Sequence, residues 1–255
     1  MRLQRITITI PQLRSIPDAE RGLIIVLSHA LNEINVLNKL VFLSSQIEAE
    51  PKWKAHIHSA QAFILARSLV GKVSEAWQVV KTGYHGTKLS KRYDALLEAP
   101  AREALAELKR YFGRKNIVNA VRNDFAFHYS VEHAKTAIPE DTPTGDLTIY
   151  LHEQNGNSIY YFAEYLMTKA LIDLISPANP DDALNVLLSD MSAAIAWLNE
   201  FTQGLLFVLF DEFIGEARLR ESIASVDVDA VVRSSDAKIP FFIEVVRPPP
   251  PGTAA

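Results

Sequence analysis

A predominantly α-helical domain with a small β-hairpin is the fold that this sequence predicts, on three observations. Long stretches repeat apolar residues at the helical period. The composition is globular, at 48% hydrophobic and 22% charged, with only 10 Gly in 255 residues. One alternating segment is folded about an Asn155-Gly156 pair, a strong short-range hairpin signal.

The first residues, Gln4-Arg-Ile-Thr-Ile-Thr-Ile10, alternate and are β-branched, so they predict a short strand. Pro11 and Pro17 break the chain after it. Asp18 and Glu20 supply acids for a helix start, and a helix is expected to about Glu48. Leu23, Leu27, Leu31, Ile34 and Val41 follow its apolar period. His29, Asn32, Glu33, Asn35 and Asn38 make a polar stripe, which predicts a hydrogen-bond network between helices or an exposed face. His29 and Glu33 are four apart and neighbours on one face.

A second helix is expected from Lys54 to Lys81. Gly71 within it costs helix stability and predicts close helix packing. Glu75 sits among Leu69, Val73, Ala76 and Val79, and a buried carboxylate there needs a cation. Arg122, Arg67 and Lys72 are the candidates. His56 and His58 are two apart and make a poor metal pair on a helix. Thr82 to Thr87 is a loop, followed by short helices at Lys88–Leu97 and Ala101–Phe112, the second stopped by Gly113.

The densest polar chemistry lies in the next helix, expected over Lys115–Tyr129. Arg122, Asn123, Asp124 and His128 fall within seven residues, seated by Ile117, Val118, Val121, Phe125 and Phe127. A guanidinium holds an anion and an imidazole moves a proton near neutral pH. Six residues at about 100° each put His128 about 240° from Arg122, so a regular helix does not show both on one face. Convergence requires the helix to end before His128, or a second copy to supply half the site. Asp124 and His128 are four apart, and the carboxylate would orient the imidazole. In the competing reading, Arg122 pairs with Glu75 or Asp124 inside a bundle and His128 caps a helix C-terminus.

Ser130–Gly145 is polar and predicts an exposed loop. Leu147–His152 and Ser158–Tyr161 are the hairpin strands, with the N-terminal strand available to join them. Helices are expected at Phe162–Ile175 and from Asp181 to about Arg220. In the latter, Leu205–Phe210 is apolar all round and predicts burial in the fold or against a second subunit. A late strand is expected at Ile239–Val246, then a disordered Pro-rich tail from Pro248.

The net charge of −4 argues against a non-specific nucleic-acid binder. It is unevenly spread. Lys81 to Arg122 holds ten Lys/Arg against four acids, a segment of +6 in a remainder of −10. Such a face gathers a polyanion, or is simply a solvated helix face. With no Cys, disulfides and thiolate chemistry are excluded. There is no Gly-rich phosphate loop, no Gly-x-Ser-x-Gly and no metal-ligand cluster, so no cofactor or metal is expected. The alternating N-terminus lacks the apolar core of a signal peptide, and no continuous apolar run reaches a membrane span. A cytoplasmic protein without a membrane partner is expected.

Arg122-Asn123 followed by His128, with five residues between Arg122 and His128, resembles the signature of the HEPN superfamily. The wording Arg-Asn-Asp-Phe-Ala-Phe-His-Tyr also looks like that of a group of uncharacterised bacterial helical proteins. The resemblance implies a HEPN-like helical bundle, commonly homodimeric. Many members are metal-independent RNA endonucleases of toxin–antitoxin or defence systems; others are non-catalytic binding or scaffold domains. It implies Arg122, Asn123 and His128 as catalytic residues, with Asp124, Glu75 and Tyr129 in support. Under it, His128 is the general base or acid at the ribose 2′-OH, Arg122 stabilises the phosphorane and Asn123 holds the phosphate or positions Arg122. RNA, a second copy of the chain and a cognate antitoxin are the implied partners. The expected organisation is 1–17 as lead-in, 18–220 as the helical domain with the 147–161 hairpin, and 221–255 as a C-terminal extension.

Overall fold

A computed structural model describes residues 1–45, 51–126, 147–176 and 179–244 of the chain. The architecture is mainly α with one two-stranded antiparallel sheet, in line with the predicted class. Strand β1 is Arg2–Ile6, shorter than expected. A capping box ends it early. Thr9 accepts from the Gln12 backbone while the Gln12 side chain accepts from Thr9 N–H at 2.8 Å, which starts helix α1, Ile10–Ser15, with Pro11 in its first turn.

Helices α2 (Asp18–Ser44) and α3 (Lys52–Gly83) form an antiparallel pair. The end of α3 meets the start of α2: a Cβ at Gly83 would lie 3.0 Å from Leu23. The two are tied by Lys72, whose ammonium reaches both carboxylate oxygens of Glu33 at 2.9 Å. Thr87 caps α4 (Lys88–Tyr93) with its hydroxyl. Helix α5 (Ala99–Phe112) then packs along α8 (Pro180–Ile214). Close approach in the bundle is clearest there, since a Cβ at Gly204 would overlap that of Ala101. Gly71 is buried in α3. Helix α6 (Ile117–Val121) and α7 (Tyr161–Ile175) both lie against α3.

The core runs through α2, α3, α5, α6 and α8. Leu27, Ile34, Leu69, Val70, Val73, Val80, Leu108, Val118, Leu198 and Phe201 are all essentially inaccessible. Three buried or nearly buried tyrosines end on carboxylates: Tyr84 donates to Asp94 at 2.8 Å, Tyr111 to Asp190 at 2.8 Å, and Tyr93 to Glu20 at 3.2 Å. Each hydroxyl is thereby satisfied while its ring fills the core.

Several expectations are corrected. The 147–161 hairpin reduces to one antiparallel bridge, Tyr150 with Ile159. A two-residue type I′ turn needs positive φ at both central residues. Among the described residues only Gly86 and Gly215 have it, and Asn155–Asn157 form a 3₁₀ turn instead. The sheet is built from the chain's two ends: β1 pairs with β2 (Ile223–Asp227), Arg2 opposite Asp227 and Ile6 opposite Ile223. The late strand does not form within 239–244. There Asn157 bonds both backbone groups of Ile243, at 2.9 and 3.0 Å, in place of a strand partner. The last long helix stops at Ile214, because Gly215 at φ 91° breaks it before α9 (Glu216–Ser222). Nor is Leu205–Phe210 enclosed all round: Leu205 and Leu209 are buried, but Phe207 is 58% exposed.

The span Asn185–Ile214 is long and apolar enough, by length and composition, to cross a membrane. Core helices pass the same test, and here Leu187, Met191, Leu198 and Phe201 are buried against the rest of the bundle.

Candidate functional site

The polar segment starts at a cap. Asn116 accepts from Asn119 N–H at 2.8 Å, so α6 begins at Ile117 rather than Lys115. Buried Val118 and Val121 hold it against α3, and Ser74 of α3 donates to Asn119 at 3.2 Å. The helix does not continue as a regular α-helix to Tyr129. At Arg122 it changes to a π-helical turn, Arg122–Ala126. Such turns are rare and insert an extra residue into the register, so the angular relation expected from regular α geometry ends at Arg122.

Arg122 and Glu75 are brought together. Nε and Nη2 of Arg122 donate to one Glu75 oxygen, at 3.3 and 2.9 Å, and Nη1 donates to the Asn123 amide oxygen at 3.2 Å. The other two candidate partners of Glu75 are used elsewhere: Lys72 on Glu33 and Arg67 on Glu164. The side chains of Arg122 and Glu75 remain 33% and 49% exposed. The pair is therefore a solvent-reached one, not a buried ion pair, and its carboxylate leaves the guanidinium accessible. Asn123 is exposed beside it. His128 and Tyr129 lie outside the described residues, as does the side chain of Asp124.

Of the ten cations between Lys81 and Arg122, four are in ion pairs: Arg92 with Glu212, Lys109 with Asp94, Arg110 with Glu107, and Arg122 with Glu75. Lys81, Lys88, Lys91, Arg102, Arg114 and Lys115 are exposed and outside the ion pairs among the described residues. The polar stripe of α2 is part network and part exposed face, with Asn32 and Asn38 on the exposed part. Asn35 and Asn199 exchange bonds at 3.2 Å, and Glu33 takes Lys72, with His29 3.8 Å away. The Lys72 hydrogen bond holds the Glu33 carboxyl below the usual range.

Sequence reasoning missed a second polar cluster, between α3 and α7. Arg67 and Glu164 pair at 2.5 Å with side chains only 13% and 22% exposed. Arg67 Nη1 is buried without an acceptor among the described residues. His56 stacks on Tyr161, centroids 4.1 Å apart and nearly parallel, and its Nδ1 lies 3.0 Å from the Tyr150 hydroxyl. Only the lone cation Arg67 in the largely apolar run Phe63–Val70 hinted at this. Among the described residues no group of three or more His, Asp or Glu has the geometry to hold a metal ion.

Comparison with protein-family models, with curated proteins and with solved structures finds no match for the chain.

Proposed function

We propose that the protein is a metal-independent RNA endonuclease of HEPN type, acting as a homodimer in a defence or toxin–antitoxin setting. The observation that carries this reading is the Arg122-Asn123 pair. It stands at a solvent-reached α-to-π transition, with the guanidinium oriented by Glu75. Six exposed cations outside the ion pairs among the described residues, on the segment leading into it, provide an electrostatic approach for RNA.

In the proposed reaction, His128 takes the proton from a ribose 2′-OH. The 2′ oxygen attacks the adjacent phosphorus, and the P–O5′ bond breaks. The products are a 2′,3′-cyclic phosphate and a 5′-hydroxyl, whose proton comes from an acid. Arg122 stabilises the extra charge of the phosphorane, and Asn123 holds a non-bridging oxygen or positions Arg122. Asp124 and Tyr129 support His128. An RNA carrying 2′-deoxy sugars throughout should stay intact while the natural strand is cut. Cleavage of both would remove the 2′-OH from the mechanism and with it this reading.

The second reading is a non-catalytic HEPN-like scaffold that dimerises through its helices. The ion pair between Arg122 and Glu75 favours it, since the guanidinium already has a carboxylate partner. So does a groove of about 520 Å³, in which Ile6, Leu96, Phe207, Leu219 and Ile223 stand beside the charged Glu98, Asp211, Glu216 and Arg220.

A further inference from the structure

Helix α3 carries one stripe that joins two regions. At about 100° per residue, His56, Ala60, Phe63, Arg67 and Ser74 lie within about 40° of Arg67 around the helix. Ser74 bonds Asn119 of α6, while the N-terminal part of the stripe faces α7. Between α3 and α7 is a cavity of about 130 Å³. Ser59 and Phe63 line it from α3, and Tyr161, Glu164, Tyr165 and Thr168 from α7. At ~30 Å³ per water it has room for about four waters, well below the ~300 Å³ at which drug-sized ligand sites begin. Its lining combines three aromatic rings with the aliphatic hydroxyls of Ser59 and Thr168, and its one charged lining group is the Glu164 carboxylate. Arg67 occupies Oε2 of Glu164 and offsets its charge, and among the described residues the second oxygen is left for a ligand. Tyr161 is held in place by its stack on His56, whereas Tyr165, at 42% exposed, presents its ring at the rim.

We propose that this cavity receives a single unstacked nucleobase bearing an exocyclic amino group, from a single-stranded RNA whose backbone runs on toward Arg122. The base stacks on Tyr165, and its amino group donates to Glu164. The separation fits. Arg67 and Glu75 are eight residues apart on α3, a rise of ~12 Å at ~1.5 Å per residue, so one extended strand of a few nucleotides reaches both regions. Ser59 donates its proton to the His56 carbonyl at 3.0 Å and is left as an acceptor, the Thr168 hydroxyl both donates and accepts, and the carboxylate accepts only. With the 4-position of a pyrimidine turned to Glu164, cytosine offers an amino donor there whereas uracil offers a carbonyl oxygen, which the carboxylate repels, so cytosine is favoured over uracil. The proposal rests on the ribonuclease reading for the strand that brings the base.

The test uses the full chain in EDTA at one fixed salt concentration, with binding read by fluorescence anisotropy. The probes are oligocytidylate, oligouridylate and a ribose-phosphate oligomer without bases. Oligocytidylate is expected to bind more tightly than oligouridylate, and both more tightly than the abasic chain. Base–aromatic stacking is worth ~1–3 kcal/mol, so Tyr165→Ala should weaken oligocytidylate binding about tenfold and leave the abasic oligomer unaffected. Tyr160→Ala, at a ring exposed outside the cavity lining, should change neither. Equal affinity of the wild-type protein for oligocytidylate and the abasic chain overturns the proposal without any variant. So does a folded Tyr165→Ala protein that binds oligocytidylate unchanged. Base-dependent binding through Tyr165 with no RNA cleaved would sink the ribonuclease reading and keep the cavity. Cleavage with binding indifferent to Tyr165 would do the reverse.

Discussion

Arg122 Nη2 lies 2.9 Å from Glu75 Oε1, joining the first residue of the π-helical turn to the C-terminal half of α3. The bond fixes the guanidinium in space, yet both side chains remain open to water. Exposed ion pairs of this kind contribute ~0–1 kcal/mol to folding, whereas removing one partner of a buried pair costs ~3–5 kcal/mol.

Arg122→Ala should therefore lower stability by less than ~1 kcal/mol in urea unfolding while removing RNA cleavage. A loss of ~3 kcal/mol or more would mean that the pair holds the bundle together and that Arg122 is structural.

The approach of α5 to α8 gives a sharper stability test. At Gly204 a Cβ would overlap that of Ala101, so the two helices would have to separate. Gly204→Ala gains up to ~1 kcal/mol of helix propensity, but overpacking costs ~1–3 kcal/mol, so a net destabilisation is expected. The double variant with Ala101→Gly should recover part of it in a double-mutant cycle. If Gly204→Ala is as stable as the parent, the contact is not tight.

Tyr93 and Glu20 test the buried polar bonds. Glu20 is 6% exposed and Tyr93 inaccessible, and their bond of 3.2 Å links α4 to α2. Tyr93→Phe leaves a buried carboxylate one donor short, at an expected cost of ~1–3 kcal/mol in chemical denaturation. An unchanged midpoint would show that Arg92, 4.0 Å from Glu20, satisfies it alone.

Alkaline pH should act on the same feature three times over. Burial, then the neighbouring carboxylates, raises the hydroxyls of Tyr84, Tyr93 and Tyr111 above their ordinary value. Each group's contribution is fully present below the unfolded value of ~10 and is lost as pH rises toward the folded one, because only the unfolded state releases the proton there. Melting temperature should fall steeply above about pH 10. Native-state absorbance showing every tyrosine ionising at its ordinary value would contradict this.

Much of the bundle is legible from local pattern. The apolar period locates α2, α3, α5 and α8, and Gly113 does end α5. Arg122 is among the partners that the sequence offers Glu75, and two residues of the α2 stripe, Glu33 and Asn35, do bond across helices. What is not legible is mostly non-local. Pairing Arg2–Ile6 with Ile223–Asp227 joins segments over 200 residues apart, and nothing in either segment names the other. The Arg67–Glu164 pair and the tyrosine–carboxylate bonds likewise need the packed helices before the partners meet. The hairpin fails because an Asn-Gly pair signals a turn only if its Gly takes positive φ, which Gly156 does not. The π turn at Arg122 has no residue signature at all.

The most direct measurement is incubation of the purified full chain with single-stranded RNA in EDTA, beside His128→Ala of confirmed fold. Cleavage by the parent chain to 2′,3′-cyclic phosphate ends, absent in the variant, is the expected result. Intact RNA with the parent chain across varied substrates, or cleavage undiminished in His128→Ala, would contradict it and leave the scaffold reading.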